Sequence, residues 1–186
     1  MLPDQYLITG KEEGLEAFHE KLDQMLSTYT GIVQYRDKSA SDSEFILKAK
    51  LVTSKAHKCQ KMVIINQRHH LLDQIKPDGI HFTTNQFMQM ESLELYNDYL
   101  CVGACHTLEH ILHANKLGFD FIVLCPVFAT PASPKGIPLG WNKFSQLASK
   151  ADMPVFALGG LNIDQKEIAQ QHGAHGIAAI REFWEN

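Results

Sequence analysis

The chain has 186 residues, 45% hydrophobic and 20% charged, with a formal net charge of −4 at pH 7. That apolar content excludes a disordered chain, and charges of both signs interspersed without a basic stripe exclude a nucleic-acid surface. No apolar run approaches the roughly 20 residues of a membrane span, and Met1-Leu2-Pro3-Asp4 lacks the layout of a secretory signal, so a cytoplasmic protein with no membrane or nucleic-acid partner is expected.

In chain order, short runs rich in Val, Ile, Phe and Ala alternate with longer amphipathic segments. Strand-like runs fall at residues 6–8, 31–35, 62–65, 79–82, 100–104, 121–124, 155–158 and 176–180. Between the first two, residues 13–28 place Leu15, Phe18, Leu22, Met25 and Leu26 on one helical face. Residues 42–58 do the same with Phe45, Ile46, Ala49 and Val52, and residues 107–117 with Leu108, Ile111, Leu112 and Ala114. Residues 68–75 and 85–95 carry weaker patterns. Asn162, with Gln165 three residues on, reads as a capping box opening a helix over 162–172. The cysteines Cys59, Cys101, Cys105 and Cys125 form no CxxC pair and read as reduced thiols, three of them in apolar strand-like segments.

Such alternation predicts parallel strands with crossover helices, and eight strands favour a closed (β/α)8 TIM barrel of the α/β class over an open sheet. No GxGxxG follows the first strand, which argues against a dinucleotide fold. A single barrel over residues 1–186 is expected. Only residues 181–186 follow the eighth strand, which predicts a truncated or missing last helix. The outer face of strands eight and one is then expected to be poorly covered, favouring a homodimer or association with a partner domain.

Barrel enzymes carry their chemistry at the C-terminal ends of strands. Gln34, Arg36 and Lys38 lie two apart after strand two, so an extended chain would turn all three to one face as an anion clamp, unless they are merely a solvated strand end. Gly159-Gly160 before Asn162 would offer backbone N–H groups to a phosphate, or form an ordinary tight turn. The Pro/Gly-rich stretch 130–140, with Thr130, Ser133 and Lys135, reads as a lid or a plain exposed loop. His106, His110 and His113 share a helical face but lack an accompanying HExxH, so an exposed face is preferred to a zinc site. His69-His70 reads as surface, and His81 stands between packing and site.

These strand-end residues carry a resemblance. Gln34-x-Arg36-x-Lys38 is similar to Q-x-R-x-K, Ile65-Asn66 to I-N-D, Asp78-Gly79-Ile80-His81 to D-G-V-H, Pro126-Val127-Phe128-x-Thr130 to G-P-V-F-x-T, and Ala157-Leu158-Gly159-Gly160-Leu161 to A-I-G-G-I. In order and spacing over nearly the whole chain they resemble the thiamine phosphate synthase/TenI family. The stretches 103–106, 139–141 and 173–178 are closest to its TenI-like branch, often fused behind a Nudix hydrolase domain; here a barrel standing alone is expected.

The resemblance implies a transferase of thiamine biosynthesis or salvage, joining a pyrimidine diphosphate to a thiazole phosphate with release of pyrophosphate. It implies catalytic roles for Arg36, Lys38 and Lys135 in holding the diphosphate. Gln34, Asn66, His81, Thr130 and Ser133 would bind substrate, and Gly159, Gly160, Ile180 and Arg181 the thiazole phosphate. At the family's two magnesium carboxylates this chain carries Gln67 and, around the second, Thr84-Asn85-Gln86, while Ala104 replaces a serine of strand five. Two neutral amides predict no cofactor, or weakly bound magnesium, and put synthase turnover in question. A non-catalytic ligand-binding or regulatory module stays open as an alternative. So does a TenI-like tautomerase, although Pro126 stands where those enzymes carry a histidine.

Overall fold

A computed structural model describes residues 1–12, 14–29, 31–130 and 137–184. Eight parallel strands close in sequence order into a barrel. They are β1 (Gln5–Ile8), β2 (Ile32–Tyr35), β3 (Met62–Asn66), β4 (Gly79–Phe82), β5 (Leu100–Cys105), β6 (Phe121–Leu124), β7 (Val155–Leu158) and β8 (Gly176–Ala179). The (β/α)8 barrel expected from the alternation is therefore the observed fold. None of the described helices is long and apolar enough to cross a membrane.

The connecting helices follow their apolar stripes. In α1 (Leu15–Thr28), Phe18, Leu22, Met25 and Leu26 are buried while Leu15 stays exposed. Helix α2 (Asp42–Lys58) opens on a full capping box, the Ser41 hydroxyl accepting from the Glu44 amide and the Glu44 carboxylate from the Ser41 amide; it buries Phe45, Ala49 and Val52. The weakly patterned segments resolve into single turns, α3 (Leu72–Ile75) and α4 (Thr84–Phe87). In α5 (Leu108–Leu117) only Ile111 and Ala114 are buried; Leu108 and Leu112, expected to share that face, are exposed, because the buried stripe is just wide enough for the two residues three apart. After α6 (Gly140–Ala148), the capping box of Asn162 and Gln165 opens a 3-10 turn, and α7 covers only Lys166–Gln171.

Inside the barrel, Tyr6, Ile8, Ile32, Ile64, Val102, Phe121, Val123, Phe156 and Ala178 form one cluster. Tyr6, Phe121 and Phe156 meet pairwise with centroids 5.2–5.7 Å apart. Each such side chain contributes about 1.5–3 kcal/mol by leaving water.

The last helix is truncated as expected, but the expectation of a poorly covered outer face on strands eight and one is corrected. A four-residue helix, α8 (Arg181–Trp184), buries Phe183 and Trp184. Phe183 lies 4.8 Å from Tyr29 and Trp184 5.3 Å from Phe18, centroid to centroid. The indole lies so close to Gly10 that a Cβ there would sit 2.3 Å from the indole Cδ1. Two large aromatic side chains do the work of a longer helix.

Candidate functional site

The inward residues at the C-terminal mouth change character from one side of the barrel to the other. On β2, β3 and β4 the last inward positions are Gln34, Asn66 and His81, all buried. The register sets Asn66 directly beside His81. Below them, Tyr6 of β1 sends its phenol upward. The Gln34 amide Nε2 donates to the Tyr6 hydroxyl at 2.8 Å, and that hydroxyl lies 3.0 Å from His81 Nδ1. Burial, reinforced by the positive charge of Arg36, pushes the His81 pKa down to about 3, so the ring is neutral. Burial also raises the Tyr6 phenol.

Arg36 follows β2 and is half-buried; its amide donates to the wholly buried Thr9 hydroxyl at 3.0 Å, prolonging the β1–β2 pairing. Burial lowers the pKa of its guanidinium, and the nearby Asp37 charge opposes that. The Asp37 carboxylate accepts from the Ser39 amide and hydroxyl and the Ala40 amide, turning the chain away. Lys38 lies in that turn and is exposed. The alternation that would align it with Gln34 and Arg36 ends with β2 at Tyr35, so the structure groups Gln34 and Arg36 with Asn66 and His81 and leaves Lys38 at the rim.

Of the two glutamines expected in place of carboxylates, Gln67 adopts φ 67° and its main-chain N–H donates to the His81 carbonyl at 2.9 Å, while the Gln86 side chain is engaged locally. The Gln86 side-chain oxygen accepts from the Thr83 amide and hydroxyl, each at 3.0 Å, and so caps α4. No cluster of three His, Cys, Asp or Glu side chains able to hold a metal occurs among the described residues. Neutral donors, one already consumed by a helix cap, do not fit a magnesium ion that needs carboxylates beside the substrate phosphates.

On β5 and β6 the mouth holds Ala104, Cys125 and Pro126. Burial pushes the Cys125 thiol up to about 12. His106 Nδ1 lies 2.7 Å from the Cys125 carbonyl and 3.5 Å from its sulfur. A carbonyl can only accept, so Nδ1 donates to it and cannot also take the thiol proton. The other two histidines of this face serve structure: His110 Nδ1 accepts from the His106 amide, and His113 Nε2 donates to the carbonyls of Phe87 and Met90.

Across the barrel, the ends of β7 and β8 offer main chain. Gly159 and Gly160 have φ 110° and 66°. A Cβ on Gly159 would lie 2.8 Å from Pro126 Cα, and one on Gly160 2.8 Å from Phe128 Cβ, so only glycine fits. The amides of Gly160 and Leu161 meet no carbonyl among the described residues. Amides freed at a turn with positive φ favour an anion. Ile180 is half-buried, its carbonyl accepting from the amides of Phe183 and Trp184, and Arg181 begins α8 on the exposed side. Thr130 is half-buried. The chain returning from the 130–140 loop is pinned to the mouth, Leu139 and Gly140 donating to the carbonyls of Pro126 and Val127 at 2.9 Å each. Ser133 and Lys135 lie outside the described residues. A surface recess lined by Asp78, Tyr96, Asp98, Leu100 and Asp120 sits at the opposite end of the strands, away from this chemistry.

Tyr6 and Thr9 are the site residues that strand-end reading misses. The signal for Tyr6 was a phenol at an inward strand position, since a buried tyrosine hydroxyl needs a polar partner.

The family described as thiamine monophosphate synthase matches residues 5–183. A protein of Aquifex aeolicus (strain VF5) named "Putative thiamine-phosphate synthase 2" is 32% identical over 184 residues, which cover 99% of each chain. The thiamine-phosphate synthase of Synechococcus sp. (strain CC9311) is 27% identical over 171 residues, 91% of this chain but 48% of that one, so the chain spans about half of that relative. Among solved structures, a thiamine phosphate pyrophosphorylase from Pyrococcus furiosus superposes with a TM-score of 0.80 at 22% identity, covering 96% of this chain and 85% of that one.

Proposed function

Because the chain belongs to the thiamine monophosphate synthase family, we propose that its barrel mouth binds that family's two phosphorylated precursors, a pyrimidine diphosphate and a thiazole phosphate, without relying on magnesium carboxylates. The observation that carries this reading is the pairing of two complementary half-sites: buried Gln34, Asn66 and His81 with half-buried Arg36 on one side, and Gly159-Gly160 on the other.

In this reading residues 1–186 act as one barrel. Arg36 takes the diphosphate, with Lys38 at the rim and Lys135 from the loop adding positive charge. Gln34, Asn66 and His81 hold the pyrimidine ring. The amides after Gly159 take the monophosphate of the thiazole, with Ile180 and Arg181 flanking it, and Thr130 and Ser133 are assigned to substrate binding. In the transfer the carbon–oxygen bond to the diphosphate breaks, and the thiazole nitrogen forms the new carbon–nitrogen bond. Negative charge develops on the departing diphosphate, and a half-buried guanidinium stabilises it more than an exposed one would. A magnesium ion held by two carboxylates would share this charge, but its ligands are neutral amides here, so turnover is slow relative to binding.

A second reading, a binding or regulatory module without turnover, is favoured by one observation, the use of the Gln86 side chain as a helix cap. Calorimetric titration with thiazole phosphate, thiamine phosphate and the pyrimidine diphosphate, with and without magnesium, alongside an assay for thiamine phosphate, separates the two. Binding with slow product formation supports the transferase. Binding with no product at any magnesium concentration supports the module. No binding of either precursor would refute both.

A further inference from the structure

The Tyr6 hydroxyl is sealed inside the barrel between two partners. It has one proton to give. Gln34 Nε2 donates to it at 2.8 Å, and its own proton, sealed from water, finds its partner in His81 Nδ1 at 3.0 Å; the reverse bond would leave that O–H buried and unpaired. An Nδ1 that accepts carries no proton, and a neutral imidazole then carries its proton on Nε2. The fully buried side-chain polar atoms without a partner, among the described residues, belong to Gln5, Tyr35 and Trp184. Nε2 of His81 is not one of them and has no protein partner among the described residues, so it opens on the mouth, in keeping with the ring's 7% exposure.

We propose that Tyr6 is a positioning residue, whose hydroxyl locks His81 as the neutral Nε2–H ring and so furnishes the mouth with one fixed hydrogen-bond donor for an acceptor atom of the ligand. The orientation of this donor deepens the reading of the pyrimidine side of the site and rests on it; the tautomer itself does not. The ring has three neighbours, one of them in direct contact. Tyr6 fixes Nδ1 from β1, Asn66 lies beside it on β3, and the charged group acting on it is Arg36 after β2. No carboxylate forms an ion pair with it among the described residues. A guanidinium nearby and a phenol on Nδ1 both oppose a second proton on the ring. His81 thus recognises rather than shuttles: it accepts a ligand with a lone pair at that point and turns away one that presents an N–H.

Long-range proton–nitrogen NMR of the intact, histidine-labelled protein between pH 5 and 8 tests the lock, with the His81 signal assigned by its loss in His81→Gln. The expected result is a protonated Nε2 and an unprotonated Nδ1, unchanged across that range. A proton on Nδ1, or a ring that titrates within the range, would overturn the proposal. In Tyr6→Phe the two tautomers should mix, and affinity for the pyrimidine diphosphate should fall about tenfold, the effect of one buried hydrogen bond, with thiazole phosphate affinity unchanged. A retained Nε2–H signature in Tyr6→Phe would also overturn it. Should that variant not fold, Gln34→Glu decides instead at a pH where the new carboxyl is ionised: the carboxylate takes the Tyr6 proton and must flip the His81 proton to Nδ1, and an unflipped ring there refutes the relay. If wild-type protein binds no pyrimidine diphosphate, the functional reading fails while the NMR result still stands or falls alone.

Discussion

The two sides of the barrel mouth are built on opposite principles. The β2–β4 side is lined by side chains, Gln34, Arg36, Asn66 and His81, braced from below by Tyr6. The β7–β8 side presents main chain, and the sequence contributes chiefly by leaving out Cβ atoms at Gly159 and Gly160. A side-chain half-site is open to change one residue at a time, since each side chain can be replaced without moving the main chain. A main-chain half-site resists such change, because nearly every substitution meets Pro126 or Phe128.

The comparison breaks most sharply at Gly160→Asp. A Cβ 2.8 Å from Phe128 Cβ and a carboxylate beside a phosphate should abolish thiazole phosphate binding while pyrimidine diphosphate binding survives; titration with each ligand checks this. The converse variant, Arg36→Ala, removes a charge-assisted contact of about 1.5–3 kcal/mol. Pyrimidine diphosphate affinity should fall roughly a hundredfold, with the thiazole phosphate unaffected. Gly159→Ala forces a side chain onto φ 110° and should lower stability by roughly 1–3 kcal/mol in denaturant unfolding. Gln67→Asp with Gln86→Asp should create magnesium binding measurable by calorimetry, even though the second change also disturbs the α4 cap; unchanged magnesium affinity would show that these positions do not face the diphosphate.

A smaller effect near neutral pH comes from His81. Its folded pKa is about 3 against 6.5 for a free ring, so the unfolded chain takes up a proton that the folded chain refuses. The full stability is present above pH 6.5 and is lost as pH falls towards 3, by about 1.4 kcal/mol one unit below 6.5. Acid unfolding of wild type compared with His81→Gln isolates this slope, which the variant should lack.

Much of this was legible in the sequence, for a physical reason in each case. The strands announced themselves because their outer faces pack on helices and their inner faces on one another. The positive-φ turn after β7 was legible because Gly-Gly there marks a backbone that a side chain would strain. Tyr6 was not, since an aromatic residue in a strand is ordinarily core, and only the fold shows which buried polar groups its hydroxyl meets. Lys38 was misplaced because two-residue alternation was carried past the end of β2, where Asp37 turns the chain. Coverage by α8 was missed because helix length was used as a proxy for buried area, which Phe183 and Trp184 supply in four residues.

The most direct test is to titrate the protein with the pyrimidine diphosphate over magnesium concentrations from zero to the millimolar range. Affinity that holds without magnesium and falls in Arg36→Ala is the predicted result. Binding that appears only with magnesium, or that survives the loss of Arg36, would contradict a half-site built on side-chain charge alone.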